Sequence, residues 1–367
     1  MRTVGLHWPV IIVFLFGAIG FSYENPENLP PDFLDAKGIC VVHSFADSAD
    51  LISDQEIIEL QDEDGLPIWF ARHIFKDVCI SGKCRMVRLW LFWDGVGNYH
   101  GFKLLEHEPL TKSDHTQFEA ADYKKLDEIL SDSLSILKDL KQEDLVIIPD
   151  SIDNPYELDG YTAATQPALS EVVVKDAVYT CHTLWHTVYG NTQEKIRSLL
   201  TARLDQSFLE AMFKTGDVSK KLWVVKMVDQ HPEYHAHFYL RFIECMKSGD
   251  NLLAESTLSY FRGAMLDDIL IQTKLVETMP SLSLHQNTEL IWKLVDCDLL
   301  ADESVVRLLE HVQAEELPVG LLNLIYRLIK PEHLEDPQVV EKLADFSQAE
   351  DVYIRNMTKR LLQRTKE

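Results

Sequence analysis

The fold is decided by residues 87–108, which read V-R-L-W-L-F-W-D-G-V-G-N-Y-H-G-F-K-L-L-E-H-E. Apolar Val87, Leu89 and Leu91 alternate with other side chains, and this two-residue period is typical of a strand with one buried face. The turn-forming run D-G-V-G-N follows at residues 94–98, and a second apolar run comes after it. This order of strand, tight turn and strand predicts a β-hairpin.

The segments around the hairpin predict an α+β domain. Residues 38–46 and 67–75 carry strand patterns, whereas the acidic stretch 47–65 is expected to be partly helical. Apolar residues recur at the helical period over residues 120–140 and 169–188, and both stretches are predicted to be helices. We therefore expect mainly antiparallel sheet, with helices at one side of it.

The character of the sequence changes from Thr192 onward, where strand patterns disappear. Short helical patches alternate with breaks, and each break contains a glycine or a proline. The breaks fall at Gly216, His231-Pro232, Gly249, Pro280, Pro318 and Pro331. Paired helices with short loops predict an α-solenoid of the HEAT kind. Because no tight sequence repeat is present, a non-repeating helical bundle is the alternative.

The composition bounds the class of function. The chain has 367 residues, 46% of them hydrophobic, and a formal net charge of -24, which fits two or three folded domains. The acidity argues against nucleic acid as a ligand, because phosphate binding requires a basic surface. It argues equally against docking of the folded part on an anionic membrane. The motifs of serine hydrolases, phosphate-binding loops and dinucleotide-binding folds are missing from the sequence.

The N-terminal segment is expected to be a signal peptide. Met1-Arg2 gives a short basic start, residues 10–19 are apolar except for Gly17, and small residues follow. The apolar run is shorter than the ~20 residues that span a bilayer, so we expect cleavage near residue 22, with an uncleaved anchor as the alternative. The body of the protein is then expected in the periplasm or otherwise outside the cytoplasm.

A second motif lies at residues 159–165, which read D-G-Y-T-A-A-T. Its small side chains would let a phosphate-bearing ligand approach the backbone closely. The helical pattern that follows puts the turn near a helix N-terminus, where free N–H groups favour a phosphate. The same residue types also build an ordinary Asx-turn that leads into a helix.

Taken in order, the hairpin, the L-E-H-E stretch at residues 105–108 and the threonine motif resemble the FMN-binding domain family, over roughly residues 70–190. In that family the last threonine of a Ser/Thr-Gly-Ala-Thr motif carries FMN through a phosphoester bond. The resemblance implies a flavin site made by Asp159, Gly160, Thr162, Ala163, Ala164 and Thr165. Thr165 would carry the FMN, and Ala163 occupies the position of the family's glycine. An exported flavoprotein would exchange electrons with a redox protein partner in the cell envelope.

These observations predict four parts of the chain. They are a signal peptide at 1–22, a linker at 23–37, an FMN-binding-like α+β domain at 38–191 and a helical-repeat domain at 192–367. The expected function is electron transfer by the attached flavin, with the helical domain docking a partner. The alternative is a non-catalytic envelope scaffold or interaction protein with a degenerate flavin site. An enzyme with a noncovalent flavin is a third interpretation.

Two groups of histidines are candidate ligands, and no metal site is predicted from them. His182 and His186 are four residues apart and share one face of a predicted helix. A third ligand is not adjacent, so an aromatic-rich helix packed on a sheet is the favoured interpretation. Contact of Trp185 or His186 with the flavin stays open as an alternative. The run H-P-E-Y-H-A-H at residues 231–237 is interpreted as a polar helix start.

We predict a disulfide between Cys79 and Cys84, which flank the turn-like tetrapeptide I-S-G-K, because an extracytoplasmic compartment permits such bonds. Thiol titration of the denatured, unreduced mature protein is expected to find four of the six cysteines free. A count of six thiols would exclude the bond. The short loop restricts the unfolded chain only modestly, so its loss should cost about 2 kcal/mol, below the ~3 kcal/mol of a fifteen-residue loop.

Overall fold

The computed structural model describes residues 35–47, 52–78, 84–147, 165–298 and 300–364. The chain divides into two units, one ending at Ala211 and the other beginning at Met212. Within these described ranges, no helix combines the length and the apolar character that crossing a membrane requires.

The first unit contains a five-stranded antiparallel sheet whose strands lie in chain order. The strands are β1 (Ile39–Ser44), β2 (Glu56–Gln61), β3 (Pro67–Lys76), β4 (Val87–Asp94) and β5 (Tyr99–Leu104). Each strand pairs with the next one along the chain, and antiparallel neighbours of this kind need only short connections. The predicted hairpin is confirmed as β4 and β5.

The tip of the hairpin depends on an aspartate and a glycine. The Asp94 carboxylate accepts hydrogen bonds from the backbone N–H groups of Val96 and Asn98, and the Asp94 carbonyl accepts one from Gly97. Gly97 has a φ of 84°, in the left-handed region that favours glycine. A Cβ atom there would lie 3.0 Å from the Ile196 side chain. The glycine therefore serves both the turn and the close packing behind it.

The expectation of partial helix over residues 47–65 is wrong, because residues 56–61 form β2. The run E-I-I-E-L-Q is too short for its apolar spacing to distinguish a strand from a helix. Strand β2 pairs with β1 on one side and with β3 on the other. These ladders supply backbone partners and bury Ile57 and Leu60, so long-range pairing decides the conformation.

The helices of the first unit are α1 (Ala120–Ser131), α2 (Val178–Tyr189) and α3 (Asn191–Thr201), and α4 (Gln206–Thr215) contains the division between the units.

Two predicted helices are shorter than expected. Helix α1 ends at Ser131 because side chains there bind nearby backbone groups: Ser131 Oγ donates to the Asp127 carbonyl, and Asp132 accepts from the Leu134 N–H. Helix α2 begins at Val178 because Pro167 opens a separate short turn and Asp176 has a φ of 60°.

The core of the first unit lies on one face of the sheet. That face carries the fully or nearly fully buried side chains Phe70, Ile74, Leu89, Leu91, Trp93 and Phe102. The indole N–H of Trp93 donates to the Val188 carbonyl of α2 at 3.1 Å. The side-chain amide of Gln193 in α3 donates to the Gly97 carbonyl at 2.8 Å. Helices α2 and α3 therefore pack against the hairpin.

A guanidinium group is buried within this unit. Arg72 of β3 is 0% exposed, and its Nη1 lies 3.0 Å from Asp47 Oδ2 and 2.8 Å from Thr192 Oγ1. Its Nε donates to the Asp54 carbonyl at 3.1 Å. Asn191 donates to the second oxygen of Asp47 at 2.9 Å. The buried charge is thus held by groups from the chain before β2 and from the start of α3.

These contacts move the boundary of the first unit. The sequence predicted a change of domain between residues 191 and 192, whereas the first unit extends to Ala211. Thr192 and Gln193 each bind the sheet or its hairpin through their side chains. Residues 192–201 therefore belong to the sheet-containing unit, although their sequence is as helical as that of the second unit.

Glu59 is a second buried charge of the sheet. It is 0% exposed, and its carboxylate lies 2.6 Å from His43 Nε2 and 2.8 Å from Arg203 Nη2. Burial acts to raise the pKa of Glu59, but the hydrogen bond from His43 and the charge of Arg203 outweigh it, so that the pKa is lowered. The carboxylate therefore remains ionised inside the protein and joins β1 and β2 to the chain after α3.

The second unit is helical, and its described residues contain no strand. Its helices are α5 (Val218–Gln230), α6 (His235–Cys245), α7 (Asn251–Tyr260), α8 (Ile269–Thr278), α9 (Leu284–Val295), α10 (Asp302–Gln313), α11 (Leu322–Leu328), α12 (Pro337–Ser347) and α13 (Val352–Arg364). Side chains of Asp217, Asp250, Asp268, Ser283 and Asp336 accept backbone N–H groups at the helix starts. Such caps satisfy donors that have no partner within a helix.

The helices of this unit pack in a regular order. Each helix from α5 to α10 contacts the helix two positions further along. The same relation joins α11 to α13, where the Tyr326 and Thr358 hydroxyls are 2.6 Å apart in a buried hydrogen bond. An all-helical C-terminal part is therefore confirmed.

Replacement of Arg72 by methionine is expected to lower the free energy of unfolding by about 3–5 kcal/mol, because it leaves the Asp47 carboxylate buried without its cation. Urea denaturation followed by tryptophan fluorescence measures the change. Arg88→Met is the matched control: Arg88 lies on β4, and its pair with Glu108 is partly exposed at 3.9 Å. That change should cost less than about 1 kcal/mol. Equal losses in both variants would contradict the assigned role of Arg72.

Candidate functional site

Thr165 lies where two distant parts of the chain meet. It forms an antiparallel bridge with Val146, and the N–H of Gln166 donates to the Leu145 carbonyl at 3.0 Å. Thr165 is half-buried, whereas Leu145 and Val146 are buried. The predicted attachment residue is therefore held against the core of the first unit. The other predicted flavin-binding residues, Asp159, Gly160, Thr162, Ala163 and Ala164, lie outside the described residues.

The helix N-terminus expected beside this threonine is absent from the described residues that come directly after it. Residues 167–169 form a single 3-10 turn, and α2 begins only at Val178. Pro167 at the start of the turn has no N–H to donate. The favourable position for a phosphate that the sequence predicted at a helix start is thus not provided by α2.

The L-E-H-E stretch forms the turn that follows β5. The N–H of Glu108 donates to the Leu105 carbonyl at 3.1 Å, and His107 has a φ of 62°. The Glu108 carboxylate accepts a hydrogen bond from Arg85 at 3.0 Å. Because Arg85 precedes β4, this ion pair connects the two open ends of the hairpin.

The aromatic and histidine side chains of α2 bind backbone carbonyls. Tyr189 reaches Leu130 at 2.7 Å, Trp185 reaches Asp132 at 2.9 Å, His186 reaches Leu137 at 2.9 Å and His182 reaches Leu140 at 2.8 Å. These four contacts, here named the α2 ladder, serve carbonyls at the end of α1 and in the irregular chain after it. The Asp132 and Leu137 carbonyls also accept backbone N–H groups, from Ser135 at 3.2 Å and from Leu140 at 3.3 Å, so the ladder adds a side-chain donor where backbone bonding is short-range only.

The α2 ladder gives the two histidines and the tryptophan one backbone partner each. Trp185 is 3% exposed and His186 is half-buried, and contact of either side chain with a flavin stays a prediction. His182 and His186 lie with their ring centroids 4.2 Å apart, and each uses one ring nitrogen on a carbonyl. The favoured interpretation, an aromatic-rich helix packed into the core, describes this part of the molecule.

The run at residues 231–237 joins α5 to α6. His231 Nδ1 lies 3.4 Å from Glu233 Oε1, and residues 232–234 form a 3-10 turn before α6 begins at His235. The His235 ring packs edge-on against Tyr260, with centroids 5.5 Å apart. The arrangement agrees with a polar helix start.

The second face of the sheet carries aromatic side chains that the sequence analysis did not single out. Trp69 and Phe92 pack edge to face at 6.1 Å, and His73 and Trp90 lie 5.3 Å apart. The Arg88 guanidinium lies 4.3 Å from the centre of the Phe75 ring. The signal was present, because every second residue of β3 and β4 points to this face. Aromatic rings of this kind can pack against planar ligands as well as against protein.

A group of potential metal ligands in the second unit was also missed. Glu255 of α7 and both His285 and Glu289 of α9 have ligand atoms that all lie within 4.8 Å of one another. The pair His285 and Glu289 is visible in the sequence as an i, i+4 spacing. The third ligand comes from another helix, so only the packing of α7 on α9 brings the group together.

The described cysteines differ in oxidation state. Cys84 is disulfide-bonded, and its predicted partner, Cys79, lies outside the described residues. Cys40, Cys181, Cys245 and Cys297 carry free thiols. Burial raises the pKa of Cys181 to about 12, which makes this thiol unreactive at neutral pH.

Comparisons with models of protein families, with curated proteins and with solved structures find no match to this chain.

Because His182 is buried in the α2 ladder, we predict that the free energy of unfolding depends on its protonation. Burial lowers the pKa of His182, and this effect outweighs the opposing hydrogen bond to the Leu140 carbonyl. The unfolded chain therefore binds this proton first as the pH falls. The contribution of neutral His182 to the free energy of unfolding is complete above the ordinary histidine pKa of about 6.5. It is lost as the pH falls below that value.

We expect the free energy of unfolding to fall between about pH 7 and pH 5, and His182→Gln to make this decrease smaller. Glutamine keeps an N–H donor near the Leu140 carbonyl but does not titrate. His107→Gln is the control, because the His107 side chain is 85% exposed. Urea denaturation at several pH values measures both variants. An unchanged pH dependence in His182→Gln would show that another group is responsible.

Proposed function

We propose that this protein is an exported carrier of FMN, attached through a phosphoester to Thr165, and that its second unit docks a redox partner. The observation that carries the proposal is the bridge between Thr165 and Val146. It holds a half-buried hydroxyl residue against the core, so that a cofactor bonded there would have a defined position. A cofactor that transfers electrons needs such a fixed position relative to its partner.

The order of elements supports the same function. A five-stranded antiparallel sheet precedes Thr165, with the β4–β5 hairpin and the L-E-H-E turn upstream of the threonine, as the family resemblance implies. The flavin would supply the redox chemistry, and the protein would supply its attachment and surroundings.

The second unit is proposed to be a HEAT-like α-solenoid that binds a protein partner. Paired helices that stack in two layers make each helix contact the one two positions on, and α5 to α10 follow this pattern. Exposed apolar residues stand in the first turn of α7, α9 and α13, namely Leu252, Leu284 and Val352. If these side chains lie together on one surface, they would form an apolar patch of the kind that contacts another protein.

An envelope location is part of this proposal. The disulfide at Cys84 favours an oxidising compartment, because cytosolic proteins rarely retain such bonds. The net charge of -24 favours a protein partner over nucleic acid or an anionic lipid surface.

The second candidate function is an envelope scaffold with no flavin. The α2 ladder favours it, because Trp185 and His186, which are candidates for contact with the flavin, donate to backbone carbonyls instead. In this case the helical second unit would carry the biological role, and the first unit would contribute no redox chemistry.

The flavin proposal predicts a mass addition equal to FMN on the Thr165 peptide of protein isolated from its own cells. Thr165→Ala should abolish the addition, because it removes the only atom that can form the ester at that position. Thr162→Ala should retain it at reduced occupancy, since Thr162 is expected to position the phosphate only. Peptide mass spectrometry measures both, and flavin absorbance of the intact protein gives an independent reading.

An unmodified Thr165 peptide in native protein, together with no flavin absorbance, would reject the carrier function and favour the scaffold. Flavin absorbance that is released by denaturation would instead indicate a noncovalent cofactor. A modified peptide in Thr165→Ala would place the attachment at another residue.

A further inference from the structure

Helices α7 and α9 bring three potential metal ligands to one surface of the second unit. His285 and Glu289 lie four residues apart on α9, so both side chains project from the same face of that helix. Glu255 projects from α7, which contacts α9 directly. The imidazole nitrogen and the two carboxylate oxygens all lie within 4.8 Å of one another.

The donor set suits a divalent transition-metal ion. Two carboxylates and a neutral imidazole balance the charge of such an ion. Zinc is bound by histidine nitrogen and carboxylate oxygen at about 2.0–2.2 Å, which places tetrahedral donors about 3.4 Å apart. The observed spacing of up to 4.8 Å is wider than this value, so binding would require the side chains to turn towards the ion.

Few neighbouring charged groups compete with a metal ion for these three side chains. His285 is exposed, and Glu255 and Glu289 are half-buried, so the ion would be reached from solvent. Glu289 Oε1 lies 3.6 Å from Lys293 Nζ on the same helix, and pairs of this kind at a surface contribute little. A dication would compete effectively with that lysine for the carboxylate.

We propose that Glu255, His285 and Glu289 form a zinc site that joins α7 to α9. Three protein ligands leave a coordination position for water or for a side chain of a bound partner, as in zinc sites with an open position. Metal bound at this place would connect two successive helices of one layer and stiffen the proposed docking unit. The site does not depend on the flavin, because all of its ligands belong to the second unit.

Zinc titration of the metal-free full-length protein tests the site, with binding measured by calorimetry and stability by thermal unfolding. We expect one zinc ion to bind and the unfolding temperature to rise, because a ligand that binds only the native state stabilises it. Loss of outer contacts alone weakens metal sites by about 10–100-fold. Removal of a ligand in His285→Ala or Glu255→Gln is therefore expected to weaken zinc binding at least about tenfold.

His231→Ala is the matched control, because His231 also stands beside a glutamate, at 3.4 Å, but on the α5–α6 connection. It should bind zinc as the unchanged protein does. Circular dichroism verifies that each variant is folded, and Glu289→Gln provides a second ligand variant should His285→Ala lose helix. The proposal is overturned if the unchanged protein binds no zinc, if both ligand variants retain full affinity, or if His231→Ala alone loses it.

Discussion

The buried guanidinium of Arg72 is the interaction on which the first unit depends. A charge that is removed from water must be paired and hydrogen-bonded, so the elements that supply its partners have to assemble around it. Those partners are Asp47, the Asp54 carbonyl and Thr192, and the Phe45 ring lies 4.7 Å from the guanidinium carbon. They come from the chain before β2 and from the start of α3. Sheet and helix are therefore one structure rather than two neighbouring domains.

The same requirement, that no buried polar group is left without a partner, explains the composition of α2. The chain leaves α-helical geometry after Ser131 and continues in short turns and a 3-10 helix, which provide fewer backbone donors for its carbonyls than an α-helix would. The α2 ladder supplies a donor to Leu130, Asp132, Leu137 and Leu140. An aromatic-rich helix close in sequence to a proposed cofactor motif invites a functional interpretation, yet Trp185, His186 and Tyr189 each donate to a backbone carbonyl.

The two units present different kinds of surface for function. The first unit offers a half-buried threonine bridged to its core and a sheet face covered with aromatic rings. The second unit offers repeated helix contacts, exposed apolar residues at helix starts and the proposed zinc ligands of α7 and α9. A fixed redox group on one unit and an adaptable docking surface on the other would together make an electron carrier selective for its partner. Without the flavin, the proposed scaffold function would depend on the helical unit alone.

The sequence by itself determined the hairpin and the helical character of the C-terminal half, because local period and turn chemistry are sufficient for each. Tertiary structure alone decided the strand at 56–61, the division after Ala211 and the grouping of Glu255 with His285. Strand β2 exists because neighbours on both sides complete its hydrogen bonds. Helix α3 joins the sheet because Thr192 and Gln193 bind partners there, and Glu255 meets His285 because two helices pack together. These outcomes depend on residues far apart in the chain, and no local pattern encodes such distances.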